Sequence, residues 1–228
     1  MEILPFLEQQ AQFNLWDLKL WYFDQPQAAR EATVEAFLCP SRDRDGQLGD
    51  DGYPNLDGSK AGAIGDYASV SGSSEEDFMK GTEKGMIIEG GFSGFNSSTK
   101  RIDRWFSMTK FKMVTDGLSN VIMIGEKHVQ TKQKNKYAGD NSIYNGTNSR
   151  SHARIAGPQS LPDESIFPLA DGPEFDIQTR NRLFGGSHPG VCIFAMGDAS
   201  VQSLPVDFDM VALGKLADRA DGEIVQLP

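Results

Sequence analysis

Cysteine is scarce in this chain: Cys39 and Cys192 are the only two among 228 residues, too few for a disulfide-built scaffold. Histidine is equally sparse. His128, His152 and His188 stand apart in the sequence, and none falls in an H-E-x-x-H or other metal-ligand spacing, which argues against a zinc site. No apolar run approaches membrane-spanning length, and no secretory signal opens the chain. Internal repeats are absent. Basic residues are outnumbered, 22 Lys and Arg against 32 Asp and Glu, for a net charge of -10 and a pI near 4.8. Such a surface repels phosphate backbones and excludes general nucleic-acid binding.

What is present points to strands and loops. The apolar fraction of 39% with 14 Phe supplies a core, while 24 Gly and 11 Pro imply many turns. The length suits one domain, 1–228, with long loops over about 41–65 and 130–163. Leu4, Leu7, Ala11, Leu15, Leu18 and Tyr22 recur at helical spacing, with Phe6, Phe13, Trp16, Leu20 and Phe23 as a second stripe, and predict a long N-terminal helix. A short helix follows from Gln27 to about Ala32. Strands are predicted near 34–38, 66–71, 86–89 and 121–125, and residues 90–99 read as a Gly/Ser/Phe loop.

Near the C-terminus, Val191 to Met196 and Val201 to Leu204 form two apolar runs separated by a turn, the pattern of a β-hairpin. A last helix is expected over about 209–220, capped by Asp207 or Asp209 and stopped at Asp221-Gly222. The fold class is therefore α+β: an N-terminal helix on a mainly antiparallel sheet, with long loops, a C-terminal hairpin and a closing helix.

His188 and Asp198 flank the first hairpin strand. They suggest a catalytic pair, yet no nucleophile stands at a readable spacing, and a hydrolase built on His188, Asp198 and Ser187 is the weakest reading. A histidine in a Ser-His-Pro-Gly loop more simply ties that loop to a carbonyl or to Asp198. In Thr115 to Glu126, Asp116 caps backbone N–H groups, Ser119 and Asn120 shape the approach to a strand, and Glu126 pairs with an arginine such as Arg182. Asp43, Asp45, Asp50 and Asp51 offer hard oxygen donors on a Gly-broken loop, a calcium possibility without EF-hand spacing. Cys192 alternates within its strand as a small core residue.

Five blocks resemble one family when taken in order: Ile3 to Asn14, Phe37 to Ser41 (FLCPS), Asp66 to Gly72 (DYASVSG), Thr115 to Glu126 (TDGLSNVIMIGE) and Ser187 to Val201 (SHPGVCIFAMGDASV). The C-terminal LADRADGE also fits. The chain is similar to the pseudopilin-like family of unknown function whose C-terminal part is described as the prepilin-type processing-associated H-x(9)-D-G domain. The resemblance implies a non-enzymatic envelope protein related to type II secretion or type IV pilus machinery. Such a protein is exported and held in the membrane by an N-terminal prepilin helix that this sequence does not include, and the chain itself is expected to be soluble. Its partners would be other envelope proteins or a second copy. The resemblance marks Asp116, Asn120, Glu126, His188, Gly197 and Asp198 as framework residues and leaves Cys39 without its usual upstream partner. Ala199 replaces the motif's glycine, so the positive-φ position is expected at Gly197. The alternative is an exported solute- or glycan-binding module, with Trp16, Trp21, Trp105, Tyr53 and Tyr144 as stacking platforms.

Overall fold

The computed structural model describes residues 1–44, 48–50, 60–73, 81–131, 134, 139–146, 148–158, 166–175 and 182–228. Its centre is a five-stranded sheet in the order Val201–Pro205, Val191–Met196, Ile122–Glu126, Tyr67–Val70 and Ala153–Arg154. The first four strands run antiparallel to their neighbours, and the short last one is parallel to Tyr67–Val70. Val191–Met196 alternates half-buried and buried positions, so Cys192, Phe194 and Met196 all enter the core. The α+β class read from the sequence is observed.

Helix Met210–Ala217 closes one face of the sheet, placing Leu213, Leu216 and Ala217 against Ile122, Phe194 and Leu204. Asp209 caps it, its carboxylate accepting from the Ala212 N–H at 2.8 Å. The helix also lies on Gly157, where a Cβ would stand 2.4 Å from the Gly214 Cα. Only glycine permits that approach, and Gly157 also has a φ of +109°.

The N-terminal segment departs from the expected long helix. It contains a 3-10 turn, Leu4–Leu7, and one α-helical turn, Gln10–Phe13, broken between them by Glu8 at φ 59°. Beyond Asn14 the backbone groups that a helix would use are engaged elsewhere. Buried Gln25 accepts from the Asp17 N–H and donates to the Asp17 and Leu20 carbonyls, and the Lys19 carbonyl accepts from the Ile102 N–H. Tertiary hydrogen bonds thus override the periodicity. The apolar residues pack as a second core, Leu4, Trp16, Tyr22, Ala29, Val34, Ala63 and Tyr144, with the Trp16 and Tyr144 rings 5.0 Å apart.

Three further local expectations change. Residues 34–38 hold a 3-10 turn, Glu35–Phe37, and 86–89 form no strand. The presumed loop after Gly90 is an antiparallel hairpin, Gly91–Asn96 with Arg101–Phe106, whose outward aromatic side chains mask the usual alternation. The 130–163 stretch is partly interior: Asp140, Asn141, Ser142 and Tyr144 are buried, and the Ile143 N–H donates to the Ala63 carbonyl. Among the described residues no helix is long and apolar enough to cross a membrane.

Candidate functional site

Antiparallel pairing brings the end of Ile122–Glu126 beside the start of Val191–Met196 and the start of Tyr67–Val70. Three polar positions from separate blocks therefore meet at one sheet edge: Asp66, Glu126 and His188. The Phe37–Ser41 block is strapped onto the same edge. The Asp66 N–H donates to the Phe37 carbonyl at 2.8 Å, and the Asp66 carboxylate accepts from the Cys39 N–H at 2.8 Å.

This strap delivers the Cys39 sulfur to within 3.5 Å of Glu126 Oε1 and 3.7 Å of His188 Nε2, while His188 Nε2 lies 3.1 Å from Glu126 Oε1. The second oxygen of Glu126 accepts from the Ile193 N–H at 2.9 Å, which orients the carboxylate. A Cβ at Gly186 would stand 2.4 Å from that oxygen, so Gly186 is needed for Glu126 to reach its seat. Cys39 and Glu126 are buried, and His188 is 27% exposed, so the cluster opens to solvent on the histidine side. Burial first, and Glu126 after it, hold the Cys39 thiol above its usual pKa, against the Ser41 N–H and Arg42. The Tyr67 phenol is raised mainly by burial, with Cys39 and Glu126 adding to it.

Behind the cluster lies a buried ion network. Arg42 and Arg44 each reach Asp66 at 2.8 Å, and Arg44 also makes a two-pronged contact with Asp140 at 2.5 and 3.0 Å. Arg42 further donates to Ser187 Oγ and to the Lys127 and Gly185 carbonyls, locking the His188 loop to the strap. Lys127 sits 3.5 Å from Asp140, and complete burial, opposed by Asp140, lowers its pKa to about 7. Arg154, also fully buried, donates from its two terminal nitrogens to carbonyls, among them those of Ala153 and Gly139.

The predicted positions separate into three places. His188 does not meet Asp198: six strand residues lie between them, about 20 Å at the rise of a strand. The exposed Asp198 carboxylate accepts locally, from the Ser200 N–H and hydroxyl. Glu126 pairs with His188 and Ile193 in place of the expected arginine. Asp116 does accept backbone N–H groups, but those of Asp221 and Gly222, and Asn120 returns a bond to the Asp116 carbonyl.

Gly197 also has a different role from the one expected. Ala199 itself takes the left-handed conformation, at φ 69°, after the turn closed by the Ala199 N–H to the Met196 carbonyl. Gly197 is required for close packing, since a Cβ there would meet the Leu118 carbonyl oxygen at 2.9 Å and the Met86 sulfur at 2.8 Å. Of the calcium candidates, Asp43 and Asp50 are exposed, and Asp45 and Asp51 lie outside the described residues, as does Tyr53.

The family model described as "Protein of unknown function (DUF1559)" matches residues 1–210. The chain belongs to this family. No curated protein and no solved structure matches it. The match spans every segment that builds the sheet edge, from Cys39 to His188. Sequence reading missed Cys39 as a member of the cluster because its three residues lie 87 and 62 positions apart in the chain. The available signal was that three of the resemblance blocks each carry at least one residue able to ligate or transfer a proton.

Proposed function

We propose that the protein is a non-enzymatic, pseudopilin-like structural or assembly component of the cell envelope, related to type II secretion or type IV pilus machinery. It is exported, is anchored in full-length form by an N-terminal prepilin-type helix, and acts through surface recognition of other envelope proteins or of a second copy. One contrast carries this reading: the polar groups of the resemblance blocks are engaged with one another and with backbone N–H groups, while large apolar side chains stand at the surface. Phe6 is 86% exposed and Phe111 70%. The cluster also departs from the layout of a nucleophile–base–acid relay, because Glu126 approaches the same ring nitrogen of His188 as the Cys39 sulfur does. Fractionation of native cells followed by cross-linking tests the reading. The full-length protein is expected in the envelope fraction, linked to secretion or pilus components, and recovery from the cytosol alone would overturn it.

A second reading, an exported glycan- or solute-binding module, is favoured by one surface. Trp21 stacks edge-on with Phe92, Phe95 and Trp105 at 5.6–5.9 Å, and Trp105 is 40% exposed with its indole N–H held by the Leu18 carbonyl. A fixed indole face of this kind suits a sugar ring. Binding on a glycan array that disappears in Trp105→Ala supports this reading, and a blank array removes it.

A further inference from the structure

We propose that Cys39, Glu126 and His188 form a site for a zinc-class divalent transition metal. The inference rests on the geometry of the sheet edge and stands independently of the envelope role. Among the described residues this is the one group of three potential ligand atoms gathered within 4.8 Å of one another.

The separations are those of three corners of a tetrahedron. Zinc bonds of about 2.3 Å to sulfur and about 2.0–2.1 Å to nitrogen or oxygen, at tetrahedral angles, set edges of about 3.6 Å for S···N, 3.5 Å for S···O and 3.3 Å for N···O. The observed values are 3.7, 3.5 and 3.1 Å. A thiol–imidazole–carboxylate relay has a different layout, with the acid on the ring nitrogen remote from the nucleophile. Here sulfur and carboxylate converge on Nε2 itself, as they do when all three atoms face a common centre.

The surroundings fit the same centre. Glu126 Oε2 is fixed by the Ile193 N–H, which leaves Oε1 as a single oxygen ligand. On binding, Cys39 releases its proton to solvent and the S–H bond is replaced by a metal–sulfur bond. Thiolate, carboxylate and neutral imidazole then carry two negative charges against the dication, so the buried site is neutral. Three protein ligands leave the fourth position for water on the exposed side of His188. Mixed sulfur, nitrogen and oxygen donors select zinc-class ions over calcium or magnesium. The ligands come from three distant segments, and metal would therefore staple the Cys39 strap and the His188 loop to the central strand.

Cobalt(II) titration of the reduced protein is the test, read in the thiolate-to-cobalt charge-transfer band and the intense visible bands of a tetrahedral centre. Wild-type protein is expected to bind one equivalent, to lose the bands on addition of zinc, and to gain protection of Cys39 from alkylation. Cys39→Ser is expected to abolish the charge-transfer band. His188→Ala, at a partly exposed loop position, is expected to weaken binding by more than the ~10–100-fold typical of losing an outer-shell partner. Cys192→Ser is expected to leave the spectrum unchanged. Circular dichroism checks the fold of each variant. Should Cys39→Ser fail to fold, His188→Ala and the alkylation assay on wild type decide the matter. A folded, reduced wild type that gives no cobalt–thiolate band, or a spectrum insensitive to Cys39 and His188, overturns the proposal.

Discussion

At the scale of single residues, Ala199 occupies the left-handed position of its hairpin turn, a conformation that costs alanine about 1 kcal/mol relative to glycine. Ala199→Gly is expected to raise the unfolding free energy by about 0.5–1 kcal/mol in urea denaturation. An unchanged or lower midpoint would mean that the turn is not strained. Gly197→Ala should act in the opposite direction, costing about 1–3 kcal/mol, because its Cβ enters the space of the Leu118 carbonyl and the Met86 sulfur. The pair of variants separates two uses of glycine that look alike in sequence, one for conformation and one for close approach.

At the scale of elements, the central strand and the Cys39 strap are joined by buried charge, where removing one partner costs far more than an exposed pair is worth. Asp140 faces both Arg44 and Lys127. Asp140→Asn removes the carboxylate facing Lys127 and leaves Arg44 with Asp66, and is expected to cost about 3–5 kcal/mol, measured by chemical denaturation. A loss below about 1 kcal/mol would show that the network relaxes to water. The C-terminal segment has its own tie, two N–H groups on the Asp116 carboxylate. Asp116→Ala is expected to lose about 1–2 kcal/mol and to speed amide exchange at Asp221 and Gly222 ahead of the sheet.

At the scale of the whole molecule, stability should depend on pH through His152. Burial first, then the charges of Arg154 and Lys127, lower its pKa to about 4. The unfolded chain takes up that proton near pH 6.5, and the folded chain only near 4. Stability is therefore highest above the unfolded pKa and falls as the pH drops from about 6.5 towards 4, levelling below that. That shift sets a ceiling of about 3 kcal/mol, and the partial exposure of the residue reduces the expected loss to about 2 kcal/mol. Thermal melts of His152→Gln should lack this part of the slope. A variant as acid-sensitive as the wild type would assign the slope to other groups.

Local pattern was sufficient for the C-terminal third. The Val191–Met196 strand, its partner and the capped helix Met210–Ala217 are built from near neighbours, so alternation, a turn and an aspartate cap specify them. The same logic failed over Leu4 to Tyr22, where periodicity promised a helix but Gln25 and Ile102 took the backbone groups. It also failed at the aromatic hairpin, whose side chains crowd an outward face. Composition and block order determined the α+β class, the acidic surface and the family. Only the tertiary structure brought Cys39, Glu126 and His188 to one point and parted His188 from Asp198. A strand holds its two ends apart, whereas antiparallel pairing joins ends that are distant in the chain, and no spacing within a single segment records which ends will meet.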